Sequence, residues 1–467
     1  MTRTKLIFTL GPATDRPSVL AALIRAGMNC ARINFAHGTH ADHTRRIQAL
    51  RAEARRQGAT VATLVDLAGP KLRVGRFPGG EVRLAEHSRV RLTPRAVLGS
   101  QELIPVSYAG LARDVRPGER ILLDDGLLEL AVERSQGADV LCRVKTGGKL
   151  RDHKGLNLPG TQLKVPALTA KDRRDLALAL RLGLDYVALS FVTRPGDLRL
   201  LRGLIRRAGG HAGIVAKIEK PQALACLEEV ILAADGVMVA RGDLGVELSP
   251  ERVPGVQKRI IAQANRLGRF VITATQMLQS MITQPTPTRA EASDVANAIF
   301  DGSDALLLSG ETAAGQYPVQ AARMLAAIAR EAESQPGYNR LHPEQTGTED
   351  RVVSAAAGLA ESLRARALVV FTHSGRTACL VSRLRPQVPV IALAHSAEVQ
   401  RRLQLYWGLD GLSLRRRPGM ENVVREAEVL LLRSRRVRQG DVMVIVAGSP
   451  AGRAANFLKV QAVGQSG

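Results

Sequence analysis

The chain is poor in cysteine and in aromatic residues, and it has no long apolar run. Its four cysteines, Cys30, Cys142, Cys226 and Cys379, are scattered with no CxxC pair. This spacing offers neither a zinc site nor a disulfide framework, and a reducing compartment suits it. No apolar stretch reaches membrane-spanning length. The opening MTRTKLIFTLGP lacks a long apolar region with a small-residue cleavage site, so it reads as a first strand and not a signal peptide. A cytoplasmic protein that stays off the membrane is expected. Aromatics are 3% of 467 residues, so the basic clusters RLRGLIRRA (199–207) and SLRRRP (413–418) have no interleaved rings to stack on bases. Lysine is scarce too: 11 of 66 basic residues, in a chain of net charge +23. The arginines are spread through helices such as DRRDLALALRLG (172–183), which gives a solvated basic surface and no specific nucleic-acid partner.

What the chain does have is rhythm. Eight short β-branched runs are predicted as strands: 5–11, 30–36, 60–67, 185–192, 213–219, 236–243, 270–277 and 304–312. Amphipathic or Ala/Leu-rich stretches between them read as helices, among them 17–27, 41–58, 170–183, 195–210, 221–234, 253–268, 288–302 and 317–333. Eight βα units with strands buried on both faces predict a TIM barrel. Polar residues gather at the strand ends: Arg32, Asn34 and His37; Asp66; Ser190; Lys217 and Glu219; Arg241 and Asp243; Thr273 and Thr275; Ser309 and Glu311. In such a barrel these ends converge on the face where active sites are built.

The third unit is interrupted by about a hundred residues that alternate at period two, such as EVRLAEHSRVRLTP and ERILLDDGLLELAVE. They predict an all-β lid over the active face. A Pro/Gly/polar linker, QPGYNRLHPEQTGTED (335–350), precedes renewed α/β texture and a smaller, mostly parallel open sheet. The expected fold class is therefore α/β: a (β/α)8 barrel (1–70 and 166–340), an inserted all-β lid domain (71–165) and a C-terminal α/β open-sheet domain (350–467).

At the predicted barrel mouth, the carboxylates Glu219 and Asp243 suit Mg²⁺ or Mn²⁺ with positions left for water and substrate oxygens. Lys217 and Arg32 stand beside them. A metal with Lys and Arg is equipment for stabilising a transferring phosphoryl group. The Gly242 turn offers backbone N–H groups to a carboxylate or phosphate.

FTLGPAT (8–14), GMNCARINFAHG (27–38), VARGDLGVE (239–247), ITATQMLQSMI (272–282) and PTRAEASDVANAIFDGSDALLLSGETAAGQYP (287–318) occur in the order of the pyruvate kinase family, which the whole chain resembles. The resemblance implies phosphoryl transfer from phosphoenolpyruvate to ADP, followed by protonation of enolpyruvate. It makes Lys217 the catalytic lysine, Glu219 and Asp243 the metal ligands, and Arg32 the grip on the substrate phosphate. Gly242, Asp243 and Thr275 become the substrate carboxylate site. Thr275 and Glu311 lie near the proton-delivery route, and Arg73, His37 and Asn34 near the nucleotide phosphates. A second Mg²⁺ would arrive with ADP, and a homotetramer is implied.

In the barrel the chain departs from the family at two places. Ala36 stands where a serine is common, and KIEKPQA replaces KIENxxG. In the family that serine, with the positions of Asn34 and Asp66, helps bind K⁺. Potassium-requiring members carry Glu at the position of Lys71, whereas members with Lys work without potassium. An ammonium carries the charge of K⁺ and donates hydrogen bonds to the same oxygens. Lys71 is thus expected to replace the ion, and K⁺ is not expected as a requirement.

In the C-terminal part, FTHSGRTA (371–378) runs a strand into hydroxyls, a glycine, an arginine and a helix. Thr372, Ser374, Gly375, Arg376 and Thr377 fit a phosphate at a helix N-terminus as well as they fit plain capping. By resemblance, a sugar-phosphate or AMP effector would bind there, although AGSPAGRAANFLKVQ departs from the usual effector loop. Two rival readings are a metal-dependent barrel lyase or aldolase on pyruvate-like acids, and an inactive relative kept as a sensor.

Overall fold

The computed structural model describes residues 2–161, 164–335, 347–414, 419–448 and 454–465. Most of the expected linker at 335–350, the arginines of SLRRRP and the SPAGR segment at 449–453 fall outside the described residues.

Eight parallel strands close into a barrel: β1 (Lys5–Leu10), β2 (Met28–Asn34), β3 (Ala62–Leu67), β4 (Tyr186–Leu189), β5 (Gly213–Ile218), β6 (Gly236–Ala240), β7 (Phe270–Ala274) and β8 (Ala305–Leu308). All except part of β2 are buried along their whole length. One face packs inward around Ile7, Leu64, Val215, Met238 and Ile272. The other packs on the helices, through residues such as Val65, Leu189 and Ile218. Helix starts follow local chemistry. Thr39, Thr169 and Thr288 cap helices reciprocally with Asp42, Asp172 and Glu291, satisfying donors that would otherwise be orphaned. Pro17, Pro195 and Pro318 occupy the first helical position, where a missing N–H costs nothing.

Several strands end earlier than their sequences predict. β6 stops at Ala240, and Asp243 lies in a short helix, Arg241–Glu247, instead of ending a strand. β7 stops at Ala274 because Thr275 and Gln276 take positive φ, +70° and +52°. β4 stops at Leu189, with φ +55° at Phe191 two residues on. L-residues rarely adopt that region, and a β-branched threonine does so least. The helix expected over 221–234 is broken at Cys226 into Pro221–Ala225 and Leu227–Ala233.

The insertion after β3 forms a six-stranded sheet and a two-stranded one around a core of its own that includes Leu92, Ile104, Leu130 and Val144. The chain enters through Arg73 and leaves through Gly155, and these two residues pair as an antiparallel bridge.

The C-terminal sheet has order β11-β10-β9-β12-β13. Its strands are β9 (Ala367–Thr372), β10 (Val390–Ala394), β11 (Leu409–Ser413), β12 (Val442–Ala447) and β13 (Phe457–Ala462). β13 is antiparallel to β12, and the other pairs are parallel. Tyr406 from this part packs edge-on against Phe270, closing the N-terminal end of the barrel.

Candidate active site

The ends of β2, β3 and β5 bring four charged groups into one buried cluster, to which the loop after β4 adds the Ser190 hydroxyl and the Phe191 N–H. Arg32 donates to Asp66 Oδ2 through Nε at 2.9 Å and Nη2 at 2.7 Å. Lys217 Nζ lies 2.8 Å from Glu219 Oε1 and 3.3 Å from Asp66 Oδ1, and it donates to Ser190 Oγ at 2.7 Å. Ser190 Oγ in turn donates to the Leu67 carbonyl at 2.8 Å. Glu219 Oε2 accepts from the Phe191 N–H at 2.7 Å.

The protonation states follow from this geometry. Burial alone would lower the Lys217 pKa, but Asp66, Glu219 and Asp243 outweigh it and hold the ammonium above its ordinary value. Burial would raise Asp66, but Lys217 and Arg32 prevail and lower it. Glu219 goes the other way. Burial raises it, Lys217 only partly opposes this, and Asp243 adds to it. Glu219 therefore faces less positive charge than it needs. Its Oε1 is buried and, despite the nearby ammonium, accepts no well-directed hydrogen bond.

Asp243 is partly exposed on the same rim. A buried carboxylate oxygen without a directed donor, beside a second carboxylate, fits a hard divalent cation that keeps substrate or water oxygens. Among the described residues no group of three or more His, Cys, Asp or Glu side chains is arranged for a metal, so a cation held here would be ligated only in part by protein.

The rim is cationic. Burial lowers the His37 pKa, and Arg73, Lys71, Arg32 and Lys171 push it the same way. Arg73 is tied to the insertion: its N–H donates to Ser107 Oγ at 2.9 Å and its Nη1 to the His153 carbonyl at 2.8 Å. Lys71 Nζ lies 4.0 Å from Asp243 Oδ1. Among the described residues no hydrogen bond or ion pair joins Lys71 to Asn34 or Asp66. Asn34 Oδ1 accepts from the Ala36 N–H at 3.1 Å. Asp66, which sequence grouped with Lys71, is taken up by Arg32, Lys217 and Ser190.

Other expected residues have structural partners. The Gly242 N–H donates to Thr275 Oγ1 at 2.8 Å, so it is engaged internally. Thr275 Oγ1 donates to the Ala274 carbonyl at 2.6 Å. Glu311 is sealed from solvent, where it accepts from the backbone N–H groups of Leu278 and Ser309 at 3.2 and 2.8 Å. Sequence reasoning placed Arg241 only as a strand-end residue. It is a clamp, donating to the Thr275 carbonyl at 2.7 Å and to Asp294 at 2.7 Å. Ser190 was legible as a strand-end hydroxyl, but its place between Lys217 and Leu67 was not.

In the C-terminal part, the Gly375 N–H donates to Thr372 Oγ1 at 2.9 Å, with Gly375 at φ +93°. Arg376 Nε donates to Glu349 at 2.8 Å. Its N–H lies 3.5 Å from Ser374 Oγ, and Thr377 is buried. The first turn of this helix is thus partly capped by its own loop.

Two family models match the chain: pyruvate kinase, barrel domain, over residues 1–322, and pyruvate kinase, alpha/beta domain, over 350–461. A pyruvate kinase of Mycobacterium tuberculosis is 43% identical over 99% of both chains. One from Geobacillus stearothermophilus is 43% identical over 99% of this chain and 80% of its own. A crystal structure of a pyruvate kinase from Cryptosporidium parvum superimposes with a TM-score of 0.93 at 34% identity, over 99% of this chain and 96% of that one. With the charged cluster at the mouth of a closed barrel, these matches make the chain a member of the pyruvate kinase family of phosphotransferases.

Proposed function

We propose that the chain transfers the phosphoryl group of phosphoenolpyruvate to ADP, giving ATP and an enolpyruvate that is then protonated to pyruvate. The observation that carries this reading is the Lys217 ammonium, fixed between Asp66 and Glu219 beneath a rim of Arg32, Lys71 and Arg73. Phosphoryl transfer needs positive charge already in place, and little acid–base chemistry at the transferred group. A lysine kept protonated supplies such a charge and is not available as a base. Arg32, braced by Asp66, grips the substrate phosphate. Glu219 and Asp243 would hold Mg²⁺ or Mn²⁺, and a cation there supplies further neutralisation of the phosphoryl oxygens.

The Thr275 hydroxyl, turning from the Ala274 carbonyl to the substrate, orients the substrate carboxylate end and the face of the enolate. Glu311, enclosed by backbone donors, holds the loop that presents it. Arg73, His37 and Asn34 form the nucleotide phosphate side: His37 and Asn34 stand on the barrel (1–70 and 166–340), and Arg73 comes from the base of the lid (71–165) that closes over them. The C-terminal domain (350–467) carries the effector loop at Thr372–Thr377, for a sugar phosphate or AMP. A cytoplasmic homotetramer is the assembly that this reading implies.

Lys71 supplies the monovalent charge that Ala36 no longer helps to hold as K⁺. Support comes from its position 4.0 Å from Asp243 on the same rim. A coupled assay tests both halves. Pyruvate and ATP should form in equal amounts from phosphoenolpyruvate and ADP, in Na⁺ or tetramethylammonium buffer as well as in K⁺. Failure to form either product would remove the phosphotransfer reading. Strong activation by K⁺ would remove the Lys71 reading alone.

A further inference from the structure

The departure KIEKPQA puts Lys220 next to the candidate metal ligand Glu219, and the structure gives this lysine a buried partner. Lys220 Nζ pairs with Glu247 Oε1, at the end of the short helix after β6. The same carboxylate oxygen accepts from Asn157 Nδ2 at 3.2 Å. Asn157 belongs to the insertion, in the strand Leu156–Asn157 that pairs with Arg120–Leu123 of its sheet. It follows the exit hinge, where the Leu156 N–H donates to the Leu72 carbonyl at 3.0 Å.

Glu247 has a fully buried side chain whose Oε2 has no hydrogen-bond partner among the described residues. Lys220 Nζ also lies 5.7 Å from the centre of the Phe191 ring, and the Phe191 N–H is the donor to Glu219 Oε2. A continuous chain of contacts thus runs from the lid through Asn157, Glu247, Lys220 and Phe191 to Glu219. It crosses the wall of a cleft of about 960 Å³ between lid and barrel rim that Asn157, Lys220 and Phe191 help to line.

We propose that Lys220, Glu247 and Asn157 form a latch that couples the position of the lid to the carboxylate Glu219, and that these three are positioning residues for phosphoryl transfer. Asn157 is the moving half, since it rides on the hinge strand. Lys220 and Glu247 are the fixed half on the barrel. Lys220 neutralises Glu247 so that the carboxylate can stay buried while it receives the lid amide. The inference rests on the phosphotransfer reading of the site, but the latch can be measured without turnover.

The test is Asn157→Asp, which sets a second carboxylate against Glu247, and the double variant Asn157→Asp/Glu247→Gln, in which the Gln amide and Lys220 can both receive the carboxylate introduced on the lid. Hydrogen–deuterium exchange of residues 155–161 in the substrate-free enzyme should speed up in the single variant and return toward wild type in the double. If the closed lid is the binding-competent state, apparent affinity falls with its population, so KM for ADP should rise ~10-fold in Asn157→Asp, with kcat within about twofold. Asn157→Ala adds no charge and should shift both readouts the same way, by about threefold in KM. Unchanged exchange in both single variants, or no rescue by Glu247→Gln, overturns the latch. Faster exchange with KM unmoved overturns its role in positioning. A wild type that makes no pyruvate would instead refute the activity, and the exchange result would still judge the latch.

Discussion

The two ends of the barrel both carry buried aspartates, and they treat them oppositely. At the C-terminal end, Asp66 is held below its ordinary pKa, because two cations, Lys217 and Arg32, outweigh its burial. At the N-terminal end, Asp185 and Asp304 are raised, because burial outweighs the single arginine each receives from the C-terminal part, Arg401 and Arg385. These lower aspartates are also joined to the frame. Asp185 accepts from the Thr63 N–H at 2.9 Å, Asp235 from the Ile214 N–H at 2.7 Å and Asp304 from the Val271 N–H at 2.8 Å. Each fastens the start of a neighbouring strand. The upper end leaves Glu219 Oε1 without a directed donor, whereas Asp185 and Asp304 have both carboxylate oxygens engaged. Buried charge alone therefore does not mark a site; charge left with capacity to spare does.

The sharpest way to break the contrast is to remove one cation from each end. Lys217→Met takes away the charge proposed to meet the phosphoryl group in flight. Losing one such preorganised group should lower kcat on the order of 10³-fold, about 4 kcal/mol, in steady-state assays with phosphoenolpyruvate and ADP. A loss under tenfold would mean that Lys217 belongs with the structural pairs below. At the lower end, Arg385→Met strips Asp304 of its partner at 3.0 Å and the Trp407 ring of one of the two guanidiniums over it, Arg3 being the other. Leaving a buried carboxylate unpaired should destabilise the fold by about 3 kcal/mol, read as a lower urea midpoint. kcat per folded molecule should stay within about twofold. If kcat instead fell with the stability unmoved, the two ends would not be separable.

How far the sequence foretold this depended on whether the information was local. Eight apolar runs, seven of them closed by polar residues, were enough to place every barrel strand. Their ends differ from the apolar pattern where buried apolar residues continue past the strand, as at Val192 and Met277. What stops those strands is the positive φ at Phe191, Thr275 and Gln276, which has no signature in composition. The upper cluster was legible as a set of residues. Its pairing was not, because whether Asp66 meets Lys71 or Lys217 depends on side-chain reach across neighbouring strands. The latch residues are up to 90 positions apart, and only Lys220 stood out, as a departure from a family motif. The lower aspartates each sit just before a strand start; the apolar pattern takes Asp185 and Asp304 as first strand residues, and nothing local names their partners. β13 was missed although FLKVQA alternates, since its segment was weighed as an effector loop. β11, Leu409–Ser413, lacks β-branched residues and is a strand only because it lies beside β10.

The finest test of the contrast is a single proton at the lower end. Lys5 is buried at the start of β1, and its Nζ donates to the Leu409 carbonyl at 2.6 Å. Desolvation pushes its pKa down from 10.5 to about 8, against the pull of Asp410 and Glu333. The folded protein therefore releases this proton near pH 8, while the unfolded chain holds it to about 10.5. Between those values the unfolded state binds more protons, so this group makes stability rise with pH, by at most about 1.4 kcal/mol per unit. Below pH 8 its contribution is flat and at its least favourable. Urea midpoints measured from pH 7 to 10 should climb more steeply in the wild type than in Lys5→Met, where the group is gone. Parallel profiles would show that Lys5 keeps its proton throughout. The lower end would then hold a cation as firmly as the upper end holds Lys217, and the asymmetry between the two would rest on the aspartates alone.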